Sequence, residues 1–318
     1  MLRHMQIEDL REVNSVLSRT FTHARWEQGL QAYHVPTCCM PFLEMYLQRF
    51  PHGSYVIEGR HRIRGFIFAH LWGKVGWVGP LAVLPDWQGR GYGRDLLDAS
   101  VQSLKDAGAA TLGLESALLS YRNIGFYVKK HFMPGYLTVD LSREVQSRKI
   151  ERLPPSYRAE SLSGLDGAAQ RRAMDTLDQL ANQLDPNLQV SGEAALLRRY
   201  GYGDAWLLYH HDAPVGFAIG HTEKYYEKEK RRHLKVYLGG LIRRTWQDDL
   251  DAFLIMLAQW TREAKLKYMI LRISARHQDG FRALIRKGLE PVHADLRFVL
   301  NGYEERSRSE VFYLNKWE

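Results

Sequence analysis

The chain has almost no cysteine: two residues in 318, and they are neighbours, Cys38 and Cys39. Adjacent cysteines rarely bridge each other and no spaced Cys/His set is present, which excludes a disulfide framework and a zinc module. Both thiols read as free, buried or half-buried. No run of about eighteen apolar residues occurs, so no membrane span is expected. The opening MLRHMQIEDL lacks the apolar core of a signal peptide, and a cytoplasmic location is the expectation. Thirteen histidines include no His-Glu-x-x-His or other ligand spacing, so no metal is expected. The formal charge of +8 lacks concentration, because its densest cluster, Lys224 to Lys235, alternates with Glu223, Glu227 and Glu229. The default there is a solvated face, and no nucleic-acid partner is expected.

What is there is an ordinary globular composition, 45% apolar and 25% charged, in a chain long enough for two domains. One stretch organises the rest, from Val75 to Leu104. It reads as an apolar strand (75–84), a short turn, a glycine-rich loop from Gln88 to Gly93, and an amphipathic helix with Leu96, Leu97, Val101 and Leu104 on one face. A strand feeding a glycine loop at a helix N-terminus gathers backbone N–H groups and the positive dipole end at one point, which is a seat for phosphate. Gly89-Arg90-Gly91-Tyr92-Gly93 misses the dinucleotide fingerprint G-x-G-x-x-G, and no Lys-Ser or Lys-Thr follows to make a Walker A loop.

Gln88-Gly89-Arg90-Gly91-Tyr92-Gly93 does match Q/R-x-x-G-x-G/A, the pyrophosphate loop of the GNAT superfamily of N-acetyltransferases, which the chain here resembles. The resemblance implies an α/β fold, α+β with a mixed sheet, and acetyl-CoA as co-substrate. It assigns Leu81, Ala82, Val83, Gln88, Gly89, Arg90, Gly91, Tyr92, Gly93, Arg94 and Ser120 to the cofactor. In the family the strand carrying Leu81–Val83 splays from its neighbour and the pantetheine arm pairs into the gap. The Gly79-Pro80 step, which reads as a bulge, suits that.

Elements read along residues 1–142 give β-α-α-β-β-β-α-β-α-β, with the first long helix ending near Arg19 and the last strand near 136–141. A charged stretch ending in Leu153-Pro154-Pro155 reads as a linker, 143–156. From 157 to 318 the pattern starts again. We read two tandem domains of one fold, the first binding acetyl-CoA and catalytic, the second degenerate. In the second, Leu241-Ile242-Arg243-Arg244-Thr245-Trp246 runs straight into helix with no glycine loop, and Leu284 stands where the family has its tyrosine.

Acyl transfer from a thioester to an amine requires that the amine lose a proton, that an oxyanion be held and that a thiolate leave. Ser120, Asn123, Phe126-Tyr127, His131 and Phe132 overlay the family's N-x-x-A-x-x-L-Y-x-x-x-G-F segment, which makes Tyr127 the acid. A packing aromatic is the alternative. Glu115, ending Leu112-Gly113-Leu114-Glu115, resembles the base of the ribosomal-protein alanine acetyltransferases; a strand-end glutamate facing solvent is the alternative. The oxyanion is expected on a backbone N–H near Val83. The expected partner is an amine acceptor, a small molecule or a protein N-terminus or lysine, entering between the helices around Trp26–Met45 and the second domain. A homodimer is compatible with this. The alternative function is a catalytically inactive acyl-CoA-binding scaffold or regulator.

Overall fold

A computed structural model describes residues 1–30, 33–145, 151–230, 232–308 and 310–315. The first half runs β1 (Leu2–His4), α1 (Leu10–Glu27), α2 (Met40–Arg49), β2 (Tyr55–Gly59), β3 (Arg62–Trp72), β4 (Val75–Val83), α3 (Tyr92–Asp106), β5 (Thr111–Ala117), α4 (Tyr121–Val128) and β6 (Phe132–Glu144). The same succession recurs as β7 (Tyr157–Ser161), α5 (Gly167–Leu184), α6 (Ser191–Tyr200), β8 (Gly203–His210), β9 (Ala213–His221), β10 (His233–Leu241), α7 (Trp246–Glu263), β11 (Tyr268–Ser274), α8 (Gln278–Arg286) and β12 (Glu290–Leu300). One further strand, β13 (Phe312–Asn315), follows. The fold is a mixed α/β sheet with its element order used twice.

Three features depart from the sequence reading. Helix α1 continues past Arg19 to Glu27. Its polar second part is held by tertiary bonds, with Val35 N donating to Thr22 Oγ1 at 2.9 Å and Ser18 Oγ to Val35 O at 2.5 Å. Strand β6 runs on to Glu144, and of the linker expected at 143–156, residues 146–150 lie outside the described residues. Strands β7 and β13 were not expected at all.

The halves are joined by exchanged strands. The sheet order is β1-β2-β3-β4-β5-β12-β6-β11-β10-β9-β8-β7, with β13 added to β10. Strand β12 of the second half therefore lies between β5 and β6 of the first, pairing Arg297 with Glu115 and Leu296 with Leu137. Strand β6 in turn lies between β12 and β11, pairing Asp140 with Arg272. Each half is completed by the other's strand, so one thirteen-stranded sheet spans the chain.

Helices cover both faces. On one face α1, α2, α5 and α6 share a single buried cluster that includes Leu10, Leu43, Leu177 and Leu197. On the other, α3 and α7 sit over separate clusters, around Leu96 and Leu104 in one half and around Phe253 and Leu257 in the other. A buried ion pair crosses the shared face. Arg49 Nε donates to Glu193 Oε2 at 2.8 Å, Trp72 Nε1 donates to the same oxygen at 3.0 Å, and Tyr237 Oη donates to Oε1. A carboxylate so fully hydrogen-bonded costs little to bury but much to unpair.

Candidate functional site

Two adjoining cavities lie against the first half. The first, about 400 Å³, opens at the glycine loop and is bordered by Val83, Gln88, Gly91, Tyr92 and Arg94. The second, about 350 Å³, holds Tyr127 and Glu115. Leu81, Ser120, Asn123, Phe21 and Ala24 line both, so the two meet along α1, the end of β4 and the start of α4.

Local sequence builds the first cavity. Gly91 is the N-cap of α3 at φ 87°, a left-handed conformation that favours glycine, and no side chain caps the helix. The first N–H groups of α3 thus have no partner within the helix. Helix N-termini attract anions. Arg94, Arg122 and His23 line the same space. Beside the loop β4 is bulged, two residues (Gly79 and Pro80) facing one on β3. Beyond Trp77 it no longer pairs with β5. Leu84 N donates to Arg64 O at 2.8 Å, so strand alternation turns the N–H and C=O of Val83 to the opposite, open edge. Gln88 Nε2 occupies that carbonyl at 2.9 Å, fastening the loop to the strand.

Arg90 takes a different place from its neighbours. Its guanidinium lies 4.4 Å over the Trp87 ring and its Nη2 reaches Asp86 O at 3.4 Å, and it lines neither cavity. Arg94 borders the first cavity while paired with Asp95 at 3.1 Å on the surface. Ser120, at the N-terminus of α4, borders both cavities. Leu81, Ala82, Val83, Gly89, Gly93 and Tyr92 all border the loop cavity.

Tyr127 is enclosed by Phe126, Phe132 and Phe298, at ring distances of 5.1, 6.3 and 5.6 Å. Burial raises its phenol to about 12, which keeps the hydroxyl a donor across the working range. Glu115 does not face solvent, since its side chain is 8% exposed. Exchanged strand β12 covers it with Arg297, whose Nη1 stands 3.9 Å from Glu115 Oε1. Arg297 also donates to Asn315 O at 2.6 Å, lies 3.0 Å from Glu305 Oε1, and sits 4.6 Å over the Trp77 ring.

The second half adds residues to the second cavity that the sequence did not single out. His293 and Asp295 come from β12, and Tyr225 and Tyr226 from the segment after β9. That segment packs on the first half through its tyrosines and backbone, while Glu227, Lys228, Lys230 and Arg232 stay exposed. Cys39 N donates to Tyr225 O at 2.8 Å, Glu227 N to Thr37 O at 3.0 Å, and Thr37 Oγ1 to Glu227 Oε2 at 2.7 Å. Cys38 is buried there, its thiol pushed up to about 12 chiefly by burial. The signal available in the sequence was the alternation His293-x-Asp295-x-Arg297, three polar side chains on one face of a strand otherwise fit for a core. Among the described residues no group of three His, Cys, Asp or Glu could hold a metal, and no helix is long and apolar enough to cross a membrane.

Residues 14–132 match the acetyltransferase (GNAT) family. No curated protein matches the sequence. Among solved structures, a Pyrococcus horikoshii protein named as an acetyltransferase is 14% identical over 100% of this chain and 94% of its own, with a TM-score of 0.69. A GCN5-related N-acetyltransferase from Sphaerobacter thermophilus is 14% identical over 97% and 98%, at 0.65. A tandem GNAT protein from the clavulanic acid biosynthesis pathway is 12% identical over 97% and 99%, at 0.60. At these identities the likeness establishes a shared fold, including its duplication, and carries no substrate.

Proposed function

We propose that this chain, whose residues 14–132 match the acetyltransferase (GNAT) family, moves an acetyl group from acetyl-CoA to a primary amine in its first half. The observation that carries the reading is the meeting of the two cavities. A cofactor with its pyrophosphate on the glycine loop would end its pantetheine arm at Leu81 and Ser120, where the space holding Tyr127 and Glu115 begins. The loop fits the group, with uncapped helix N–H groups, left-handed glycines at Gly89 and Gly91, and Arg94 and Arg122 alongside.

The chemistry then assigns roles. The acceptor enters as an ammonium and gives one proton to a carboxylate, Glu115 or a water it holds. The free amine attacks the thioester carbonyl, forming the C–N bond. The oxyanion is received by a backbone N–H at the open edge of β4 near Val83, which supplies the fixed dipole that most stabilises such a state. Nitrogen loses its second proton to solvent, the C–S bond breaks, and the thiolate takes a proton from Tyr127, which solvent then restores. The balance is amide, CoA thiol and one released proton. A phenol at about 12 gives its proton to a thiolate, whose thiol has an ordinary value near 8.5, against a gap of about 5 kcal/mol. Tyr127 therefore acts first as a hydrogen-bond donor to the developing thiolate, with full transfer late.

The second half is non-catalytic in this reading. Its Glu115 counterpart, the fifth residue of a seven-residue strand facing the other half's exchanged strand, is Arg272, and its tyrosine is replaced by the buried Leu284. We place the division between halves within 145–156 and the acceptor between α1, α2 and the 225–226 segment. The test is calorimetric titration of acetyl-CoA into wild type and Gly91→Glu, followed by thiol release with amines. Micromolar binding lost in the variant supports the cofactor site. Absence of binding to wild type sinks the reading. Binding without turnover, indifferent to Tyr127→Phe, would instead favour an acyl-CoA-binding scaffold.

A further inference from the structure

The cavity lined by Tyr127 mixes polar side chains with several aromatic rings. Phe42, Tyr46, Trp77, Tyr225 and Tyr226 supply broad ring surface. The acidic groups lining it are Glu115 on β5 and Asp295 on β12. Register sets their relation. Arg297 stands opposite Glu115 and Asp295 opposite Ala117, so Glu115 and Asp295 project from the same face as diagonal neighbours. Such neighbours lie about 7–8 Å apart, with their Cβ atoms somewhat closer, room for one ammonium between two carboxylates. The two are not alike. Glu115 faces the guanidinium of Arg297, whereas Asp295 Oδ2 is met at 3.1 Å by Nε2 of His293, a side chain 45% exposed. The remaining cation on the lining, Arg25, is engaged by Gln28, its Nη1 donating to Oε1 at 3.2 Å.

We propose that the acceptor is a small primary amine with an aromatic body, and that Asp295, delivered by the second half's exchanged strand, binds its ammonium opposite Glu115. This rests on the acetyl-transfer reading above for the reaction, though not for the binding. The aromatic walls take the body by ring contact and cation–π attraction, and the carboxylate fixes the nitrogen beside the thioester end of the cofactor cavity. Asp295 thereby becomes a substrate-contacting residue that the first half alone cannot supply. The degenerate half is retained because the active cavity is incomplete without it.

The experiment titrates phenethylamine and, as its uncharged counterpart, 2-phenylethanol into wild type and Asp295→Asn by calorimetry. Acetyl-CoA is titrated into the same samples. The expected result is phenethylamine binding to wild type at least about tenfold more tightly than the alcohol, the scale of one charged hydrogen bond. In Asp295→Asn that preference should vanish, while alcohol and acetyl-CoA affinities stay as they were, which also reports that the variant is folded. Equal binding of amine and alcohol, no amine binding, or an unchanged preference in Asp295→Asn overturns the proposal. Loss of acetyl-CoA binding in wild type would instead overturn the transferase reading and leave the amine comparison to decide the cavity.

Discussion

The two halves open their sheets at the same place and close them differently. In the first, β4 pairs with β5 over Val75–Trp77 and then parts from it, and the freed edge of β4 borders the loop cavity. In the second, β10 pairs with β11 over His233–Val236, and its edge from Leu238 to Leu241 is taken by β13. Gly240 permits this, since a Cβ there would meet Phe312 O at 2.2 Å. At the following helix the contrast repeats. The N-terminus of α3 is left uncapped on glycine. Near that of α7, Arg243 holds Asp249 through bonds of 2.7 and 2.5 Å, and Tyr157 Oη adds another at 2.9 Å. An opened strand edge carries polar groups that must find partners. The second half meets that demand with its own chain, and in the proposed reading the first leaves it for the cofactor.

The largest expected effect comes from unplugging the second half. Phe312 is fully buried between Trp246 and Phe253, at 5.5 and 5.8 Å. Phe312→Ala should cost about 3–5 kcal/mol in denaturant unfolding. It should leave acetyl-CoA affinity per folded molecule unchanged, because the groove it vacates has no phosphate seat.

Acid should weaken both halves through buried histidines, His70 in the first and His277 in the second. Burial, with Arg276 and Arg297 nearby, pushes His277 down to about 4, and burial with Arg49 holds His70 well below its ordinary value. The unfolded chain protonates both near 6.5 while the folded chain does not, so unfolding takes up protons below that pH. Stability is therefore full above about 6.5 and falls as the pH drops toward 4, by about 3 kcal/mol for His277. Urea unfolding from pH 7 to 4.5 measures the slope, and His277→Gln should flatten it.

Charge at the loop tests the contrast directly. Gly91→Glu should weaken acetyl-CoA binding by at least about a hundredfold, some 3 kcal/mol, whereas Thr245→Glu at the corresponding point before α7 should change it by less than about twofold. Tyr127→Phe should slow thiol release by about a hundredfold at unchanged acetyl-CoA affinity. Smallest of all, Arg94→Ala should weaken binding by about three- to tenfold in low salt, and Arg90→Ala, stacked on Trp87 outside the cavity, by less.

Much of this was legible in the sequence because the signals were local. The glycine loop, the amphipathic spacing of α3 and the recurrence of the element order can be read without knowing what packs where. The exchange of β6 and β12 could not be read, since an apolar strand has the same pattern whichever half it joins. With it went the burial of Glu115 under Arg297 and the arrival of His293 and Asp295. Strand β13 is only four residues, too short for periodicity. Arg90 sat in the motif as plausibly as Arg94, and only its stacking on Trp87 separates them.

Calorimetric stoichiometry decides whether one half binds the cofactor while the other has filled the same place with its own chain. Acetyl-CoA titrated into the full chain should bind at one site per molecule, and that site should vanish in Gly91→Glu. Two sites per molecule, or one that survives Gly91→Glu, would contradict it.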